Sequence, residues 1–559
     1  VAAANRPRST PLEATAPGRA SGLVGLDGRA LQAVRPPAPA SLDGQVLEAA
    51  GATIRRDFDA NTGGWGGAPK FPQPLAVEFL LREAAAGDDD ALAVASRHLL
   101  AMAAGGIHDL VGGGFARYAT DARWLVPHFE KMLYDNAQIA RACLHAWQLG
   151  GNERLRELAG ESLAFLLETM TNDAGAFIAS LDADTDGVEG ATYTWTVTEI
   201  EAALAPLGPE VWPLAAAAWG VTPEGNWEGR TILHEARDPR DLALAFGLPE
   251  DGVRSRLGAA KARLREVRRE RPQPGRDDKI VAAWNGLALS ALSEAAAALD
   301  RPDFAAAAVR CAAFLVDALV DEHGLLHRTW RDGRVGPVAT LEDHAALAEG
   351  LLCLYELTFD ERWFVEARRL MDRVRHHFAD PAGGWFDTSD DGERLIVRPK
   401  AIQDNATPSG NALTSTVLLR LAGLTGDGEE RRTAEAALGL VTGHVERYPT
   451  AFAAWLVALD LAVRPLTELA IVGRSEDPIT AALIGVAREG FRPRMMVAAA
   501  PPVSIAGSAV PLLEGRTARE GRAAAYVCRE FACRAPVSSP DALRAELALQ
   551  SGSTARPSR

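Results

Sequence analysis

The sequence predicts a mainly α-helical protein in which helical hairpins close into an α/α toroid, followed by a small α/β appendage. The first observation is that apolar residues recur at three- and four-residue spacing throughout residues 41–465, which is the period of an α-helix. Many of these segments, such as "GLALSALSEAAAAL", are apolar around most of their circumference. Such segments predict helices that are buried on more than one side.

The second observation is a recurring glycine-plus-aromatic motif in the connections between helices. It occurs as "GGWGGAPKF", "GGGFARY", "AGAFIAS", "HGLLHRTW" and "GGWFDTS". Gly64, Gly113 and Gly175 are separated by 49 and 62 residues, and Gly324 and Gly384 by 60 residues, so each unit has room for two helices. Elaborate loops at the same end of every hairpin favour a closed toroid with β-hairpin loops at one mouth over an open solenoid.

The remaining segments complete the domain organisation. Residues 1–40 are rich in Pro, Ala, Gly and Arg and predict a flexible linker or arm. The 149 residues between Gly175 and Gly324 have room for one or two degenerate units and an exposed Arg-rich insertion helix. In residues 466–545, "TELAIVG" and "RMMVAA" predict parallel strands around a helix, "AAYVC" predicts a third strand, and residues 546–559 predict a disordered tail.

Composition excludes several classes of protein. The net charge of −15 argues against unspecific binding to nucleic acid or an anionic membrane. No apolar run approaches the roughly 18 residues of a membrane span, and the N-terminal segment, which begins with Val, lacks the apolar region of a secretory signal. The odd number of five cysteines argues against a disulfide framework, so a reducing cytoplasm is the expected location.

The five cysteines predict neither a disulfide framework nor a metal site. Cys143, Cys311 and Cys353 fall in apolar helical patterns and are expected as buried thiols. Cys528 and Cys533 form C-x4-C without a second pair, which is a poor match to structural zinc. The string "DADTDG" imitates the opening of a calcium loop, but its twelfth position is Tyr193 and not Glu. No nucleotide motif is present, so no metal or cofactor is expected.

Polar residues and aromatic residues accumulate together in the predicted mouth loops and favour a carbohydrate ligand. Sugar rings stack on aromatic faces while their hydroxyls require oriented donors and acceptors. The predicted substrate-binding residues are Trp65, Arg117, Tyr118, Trp124, Asp135, Asn136, Asp182, Glu189, Trp284, Asn285, Asp404 and Asn405.

Two kinds of acid/base chemistry remain open, with His128, Glu130, Asp278, Asp343 and His344 as the candidate catalytic residues. An epimerase or isomerase would exchange a proton between His128 and His344 while Trp124 and Trp284 hold the ring. A glycoside hydrolase would pair Asp278 or Glu130 with Asp343.

Structural interpretations compete with both kinds of chemistry. Lys131 and Asp135 are spaced as a helix ion pair, and Asp343 is placed as a first-turn carboxylate. Trp65 and Trp284 are equally compatible with the core.

Several strings together resemble the spermatogenesis-associated protein 20 family of thioredoxin-domain-containing proteins. They are "GGWGGAPKFP", "GGIHDLVGGGFARYATDARWLVPHFEKMLYDNAQIA", "SLDADTDGVEGATYTWT", "KIVAAWNGL" and "ATPSGNA". The resemblance implies an (α/α)6 toroid of the six-hairpin glycosidase type, similar to N-acylglucosamine 2-epimerases, joined to an N-terminal thioredoxin-like domain.

The chain departs from this family pattern because it contains no C-x-x-C, so redox activity is not carried over. By analogy with the six-hairpin glycosidase superfamily, the chain is expected to be a sugar epimerase, isomerase or glycoside hydrolase. The alternative is a non-catalytic glycan- or protein-binding module that works with a thioredoxin-like domain or protein.

Overall fold

A computed structural model describes residues 43–502, 505, 507–519 and 521–551. The predicted N-terminal arm and residues 552–559 of the predicted tail lie outside these residues. The predicted tail also includes residues 546–551, which are instead helical.

Twelve α-helices form a double ring in the described part of the chain. The inner helices are α2 (Pro74–Ala85), α4 (Leu133–Gly150), α10 (Ala282–Ala298), α12 (Leu341–Thr358), α14 (Gly410–Thr425) and α16 (Ala453–Val463). The outer helices are α1 (Gly44–Arg56), α3 (Asp89–Ala104), α5 (Glu153–Phe165), α11 (Pro302–Leu319), α13 (Glu361–His377) and α15 (Gly428–Leu438). Each inner helix contacts the next one, and α16 contacts α2, so the ring is closed. The (α/α)6 toroid is thereby confirmed.

The difference between inner and outer helices follows from their sequences. Inner helix α10 is buried around most of its circumference, whereas outer helix α13 has a polar face toward solvent. Inner helices α10 and α12 approach closely at Gly286, where a Cβ atom would lie 2.4 Å from the Ala346 carbonyl oxygen. Only glycine permits this approach, which brings the two backbones into contact.

A four-helix insertion separates α5 from α10. It contains α6 (Val197–Leu204), α7 (Val211–Ala218), α8 (Pro239–Phe246) and α9 (Glu250–Arg269), which share a hydrophobic core of their own. The predicted Arg-rich helix is α9, and its buried Val253, Ala260 and Leu264 pack into that core. The long interval in the sequence thus holds one hairpin of the ring, α10 and α11, together with this insertion.

Short strands lie at the end of the ring at which the inner helices begin. They are β1 (Tyr118–Ala119), β2 (Pro127–His128), β3 (Lys131–Met132), β4 (Ser180–Leu181), β5 (Asp184–Thr185), β6 (Val188–Glu189), β7 (Arg276–Asp277), β8 (Ile280–Val281), β9 (Thr329–Arg331) and β10 (Arg334–Val335). Three-stranded antiparallel sheets, β3-β4-β7 and β10-β9-β8, tie the insertion and the loops to the starts of α4 and α10. This end is the mouth.

The α/β appendage covers the other end of the ring. It consists of β11 (Thr467–Val472), α17 (Pro478–Ala487), β12 (Met495–Ala500), β13 (Ala524–Arg529), β14 (Ala532–Cys533) and α18 (Pro540–Ser551). The sheet order is β12-β11-β13-β14, in which β11 and β12 are parallel and β13 is antiparallel to β11. The β-α-β unit that the sequence indicates is therefore present.

The cysteines meet the sequence expectation in part. Cys143, Cys311 and Cys353 are buried free thiols, as predicted. Cys528 and Cys533 instead form a disulfide between the paired strands β13 and β14, although no disulfide was expected. The spacing alone does not reveal this pairing, because it depends on a tight hairpin placing the two residues opposite each other. No helix in the described residues has the length and apolar character to cross a bilayer.

Candidate functional site

The five glycine-plus-aromatic loops are short hairpins that each connect an outer helix to the inner helix that follows. Each hairpin is closed by a single antiparallel β-bridge: Asp59 with Gly64, His108 with Phe115, Thr171 with Phe177, Val320 with Leu326, and Ala379 with Trp385. Because the inner helices all begin at the same end of the ring, the hairpins converge there. The mouth that the sequence predicts is formed in this way.

Three asparagines at the starts of inner helices hold these hairpins in place. Asn136, Asn285 and Asn411 each accept a backbone N–H at 2.7–2.8 Å and donate to the carbonyl of the same residue at 2.9–3.0 Å. Their respective partners are the aromatic residues Phe115, Phe177 and Trp385. Asn136 and Asn285 were expected to contact substrate, but their buried amides are engaged by backbone and are not available to a ligand in this structure.

Two predicted carboxylates connect neighbouring inner helices. Asp343 accepts the Ala283 N–H of α10 at 3.2 Å and the Arg328 guanidinium at 2.9 Å. Asp404 accepts the Ala454 N–H of α16 at 2.8 Å, and burial raises its pKa to about 7. Both side chains are buried, and their bonds position the helices and leave little for a ligand.

His344 does not reach the mouth either. Its ring is fully buried, with Nδ1 2.8 Å from the Thr340 carbonyl oxygen and an edge contact to Phe378. Burial lowers its pKa to about 4, so the ring is neutral at physiological pH. His344 therefore does not form with His128 the proton-exchanging pair that the epimerase hypothesis requires.

Two predicted tryptophans belong to the core. Trp124 is completely buried and donates its indole N–H to the Gly63 carbonyl at 3.0 Å. Trp65 is also buried, and it donates to the Ile54 carbonyl at 2.8 Å. Both rings brace the first hairpin and offer no platform to a sugar.

Three further candidates lie at the surface. Asp278 is half-exposed and pairs with Arg276 at 3.1 Å. Asp182 is exposed at the start of the β5–β6 hairpin, and the Asn405 side chain accepts the Ala406 N–H at 2.9 Å. None of the three shows a contact with the polar cluster described next.

Five predicted residues do come together, and we call Arg117, Tyr118, His128, Glu130 and Glu189 the mouth cluster. Tyr118 and His128 face each other across β1 and β2 and stack with ring centroids 5.0 Å apart. His128 Nδ1 lies 2.9 Å from Glu189 Oε1, and its Nε2 lies 3.9 Å from Glu130 Oε2. Arg117 donates to Glu130 Oε2 at 3.1 Å. The cluster is thus a polar surface with charges of both signs beside an aromatic stack.

Asp135 lies next to this cluster in the first turn of α4. Its side chain is 4% exposed, and its Oδ2 has no hydrogen-bond partner among the described residues. Burial raises the pKa of the carboxyl well above its ordinary value, and the charge of Glu130 acts in the same direction against the opposing effect of Arg117. Asp135 is therefore a carboxyl group that favours its protonated form beside a carboxylate that is ion-paired.

Aromatic rings surround these carboxyl groups. Phe71, 43% exposed, contacts Tyr118 at a centroid distance of 5.0 Å. Tyr134 packs edge-on against the partly exposed Trp284 at 4.9 Å, and burial raises the pKa of its phenol to about 12. The phenol of Tyr134 and the partly exposed rings of Phe71 and Trp284 give this part of the mouth an amphipathic surface.

Glu342 was not among the predicted site residues, but it is a partly exposed carboxyl at the start of α12. Burial and the charge of Asp343 raise its pKa, while hydrogen bonding to Thr407 and the nearby Arg328 lower it. The sequence signal for Glu342 is its position, because it is the second residue of the helix that follows the fourth hairpin. Glu342 brings a further carboxyl from another wall of the ring.

Gln138 links two walls of the ring. It lies on α4 and donates to the carbonyl of Ala406, in the loop before α14, at 2.9 Å. Because α4 and α14 are not neighbours in the ring, this hydrogen bond crosses the lumen. The link lies about one helical turn beyond Tyr134 along α4.

Comparisons with known proteins give a close match in sequence and several more distant likenesses among solved structures. No established protein-family model matches it. The chain is 33% identical over 549 residues to spermatogenesis-associated protein 20 of Homo sapiens, covering 91% of this chain and 69% of that protein. Among solved structures it is similar to an unsaturated glucuronyl hydrolase specific for heparin, with TM-score 0.43, 13% identity and coverage of 75% of this chain and 96% of that chain. It is also similar to a GH76 α-mannanase of Bacteroides thetaiotaomicron, with TM-score 0.45, 11% identity and coverage of 75% and 94%.

Proposed function

This chain belongs to the spermatogenesis-associated protein 20 family, and we propose that its mouth acts on a carbohydrate by acid/base chemistry. The observation that carries the proposal is the pairing of Asp135, a buried carboxyl with a raised pKa, with Glu130, a carboxylate held by Arg117. A carboxyl group that favours its protonated form, beside a second carboxylate that is ion-paired, is suited to acid/base chemistry.

The proposed reaction is the hydrolysis of a glycosidic bond. Asp135 donates a proton to the leaving oxygen, and Glu130 accepts a proton from the water that attacks the sugar carbon. The exposed faces of Phe71 and Trp284 contact the sugar ring, while His128 and Glu189 offer hydrogen-bond partners to its hydroxyls. Epimerisation by a histidine pair is less well supported, because His128 is part of the mouth cluster whereas His344 contacts Thr340 and Phe378 and shows no contact with that cluster.

Turnover of a panel of neutral and acidic oligosaccharides, followed by proton NMR of the released reducing ends, tests this proposal. We expect Asp135→Asn to lower kcat by about 10²- to 10⁴-fold, which is the usual contribution of a general acid. The value of kcat/KM should also fall as the pH rises through the pKa of Asp135, because the ionised carboxylate has no proton to donate.

The matched control is Asp173→Asn, which neutralises an exposed aspartate in the third hairpin and should leave turnover unchanged. Turnover that survives Asp135→Asn would remove this residue from the mechanism. Saturable sugar binding without turnover in the wild type would contradict the proposal that the chain is an enzyme. It would favour the alternative, a glycan-binding module.

A further inference from the structure

A second cavity lies at the end of the ring opposite the mouth. It has a volume of about 170 Å³ and is enclosed by the C-terminal halves of the inner helices and by the appendage. None of the residues of the mouth cluster lines this chamber, and neither does Asp135. The chamber is therefore not part of the site described above.

The appendage forms one wall of the chamber through specific contacts. The N–H of Val497 on β12 donates to Glu356 of α12 at 3.3 Å. The Phe491 ring stacks on His145 of α4 at 4.0 Å. The β-α-β unit thus closes the far end of the lumen and does not hang free from the toroid.

The charges of the inner helices are largely matched in pairs. Arg141 forms two hydrogen bonds with Glu294, at 2.7 and 2.6 Å. Arg420 donates to Glu349 at 2.7 Å and to Glu356 at 2.8 Å. These five residues make the wall strongly polar, and their positive and negative charges nearly cancel.

Two polar atoms on this wall lack a partner in the described part of the chain. They are the hydroxyl of Ser293, in a residue that is 1% exposed, and Oε2 of Glu349, in a residue that is 4% exposed. Both residues line the chamber. Burying a carboxylate oxygen without a hydrogen-bond donor costs free energy. Ser293 and Glu349 are therefore suited to a ligand whose N–H groups donate to them.

Two arginines of the appendage contribute positive charge to the lining of the chamber. Arg488 donates to the Leu357 carbonyl at 2.6 Å, and Arg492 donates to the Val486 carbonyl at 3.0 Å. Neither forms an ion pair with a carboxylate side chain of any described residue, and burial lowers the pKa of both. Each retains guanidinium N–H groups for an anion.

A surface groove adjoins the chamber. This groove, of about 560 Å³, shares Gln148, Ala297, Ala298, Arg488 and Gly490 with the chamber lining. Arg488 thus lines both the groove and the chamber. Glu349 lies on the wall of the inner helices, where its Oε1 is paired with Arg420 and its Oε2 has no partner among the described residues.

We propose that this chamber binds a small aliphatic α-amino acid in its zwitterionic form. The ammonium group donates to Glu349 and Ser293, the carboxylate accepts from Arg488, and the short side chain lies against Ile484 and Met495, which also line the cavity. The volume suits this ligand, since an engineered cavity of about 150 Å³ accepts benzene, with about six heavy atoms, as many as alanine has.

Calorimetric titration of the full chain with glycine, L-alanine and L-valine tests the proposal. We expect saturable binding of L-alanine, and binding at least about tenfold weaker for propionate and for ethylamine, each of which lacks one of the two charges. Ser293→Ala should weaken L-alanine binding by about tenfold, which corresponds to one lost hydrogen bond. It should not lower the thermal stability of the ligand-free protein, because the hydroxyl has no partner to lose.

Ser290→Ala is the matched control, since this serine is on the same helix and already donates to the Gly286 carbonyl at 3.2 Å. It should leave L-alanine binding unchanged. The proposal is overturned if none of the three amino acids binds up to about 10 mM. It is also overturned if Ser293→Ala binds L-alanine as tightly as the wild type, or if propionate or ethylamine binds equally well.

Discussion

At the start of α10, the Asn285 amide makes three hydrogen bonds to backbone groups. It accepts the Phe177 N–H at 2.8 Å and donates to the carbonyls of Phe177 and Val281 at 2.9 and 3.0 Å. The side chain is completely buried, so water cannot replace any of these bonds. A single residue thereby fixes the third hairpin to the ring.

Asn285→Ala should lower the free energy of unfolding by about 2–4 kcal/mol, because it leaves the N–H and C=O of Phe177 buried without partners. Urea denaturation measures this loss. The control is Asn405→Ala, an exposed asparagine whose amide contacts only the adjacent backbone, and it should change stability by less than about 0.5 kcal/mol. Equal effects of the two substitutions would show that the amide does not hold the hairpin.

At the scale of elements, the inner helices cap one another at the mouth. The residues that precede α10 and α16, Val281 and Phe452, offer no side-chain cap. Asp343 and Asp404 supply the missing acceptors from neighbouring parts of the ring. Free N–H groups at helix starts favour negative charge, so these carboxylates stabilise the closure of the toroid.

The insertion is attached to the ring by another buried carboxylate. Asp109, in the hairpin after α3, pairs with Lys131 of β3 and with Arg268 of α9, both at 2.7 Å. Burial would raise the pKa of Asp109, but the two cations outweigh it and hold this pKa well below its ordinary value. Removing the carboxylate leaves two buried cations without their partner.

Asp109→Asn should lower the free energy of unfolding at pH 7 by about 3–5 kcal/mol. Since the folded-state pKa is depressed, the contribution is complete above the unfolded value of about 4 and is lost as the pH falls below it. The difference between wild type and variant in denaturation experiments should therefore shrink from pH 6 to pH 2. Asp303→Asn, which removes a surface ion pair with Arg301, is the control and should cost less than about 1 kcal/mol. A difference that stays constant with pH would contradict the ionised triad.

For the whole molecule, the sequence predicts the architecture far better than the site. Helical periodicity and the spacing of the glycine-plus-aromatic motifs are local signals, and they are sufficient to predict a ring, its mouth and the appendage. Which side chain faces the lumen is not a local property. Asp135 and Asn136 are adjacent and therefore about 100° apart on α4, yet one adjoins the mouth cluster and the other holds a hairpin.

The same difficulty affects α12, where Glu342 is partly exposed while Asp343 and His344 are buried. Helices buried on all sides give no polar face from which their rotation can be read. Glu342 and Asp343 are adjacent carboxyl residues at the start of a helix that is otherwise mostly apolar, so the sequence alone does not distinguish the one that stays partly exposed from the one that braces α10. Only the packing of the ring fixes that choice.

The protonation state of Asp135 in the ligand-free protein tests most directly whether the mouth is built for acid/base chemistry. Carbon-13 NMR of aspartate-labelled protein over a pH series measures it, with the signal assigned by its absence in Asp135→Asn. We expect the Asp135 carboxyl to titrate well above its ordinary value and to lose its proton only as the pH rises. A carboxyl that is already ionised at pH 5 would contradict its role as the proton donor.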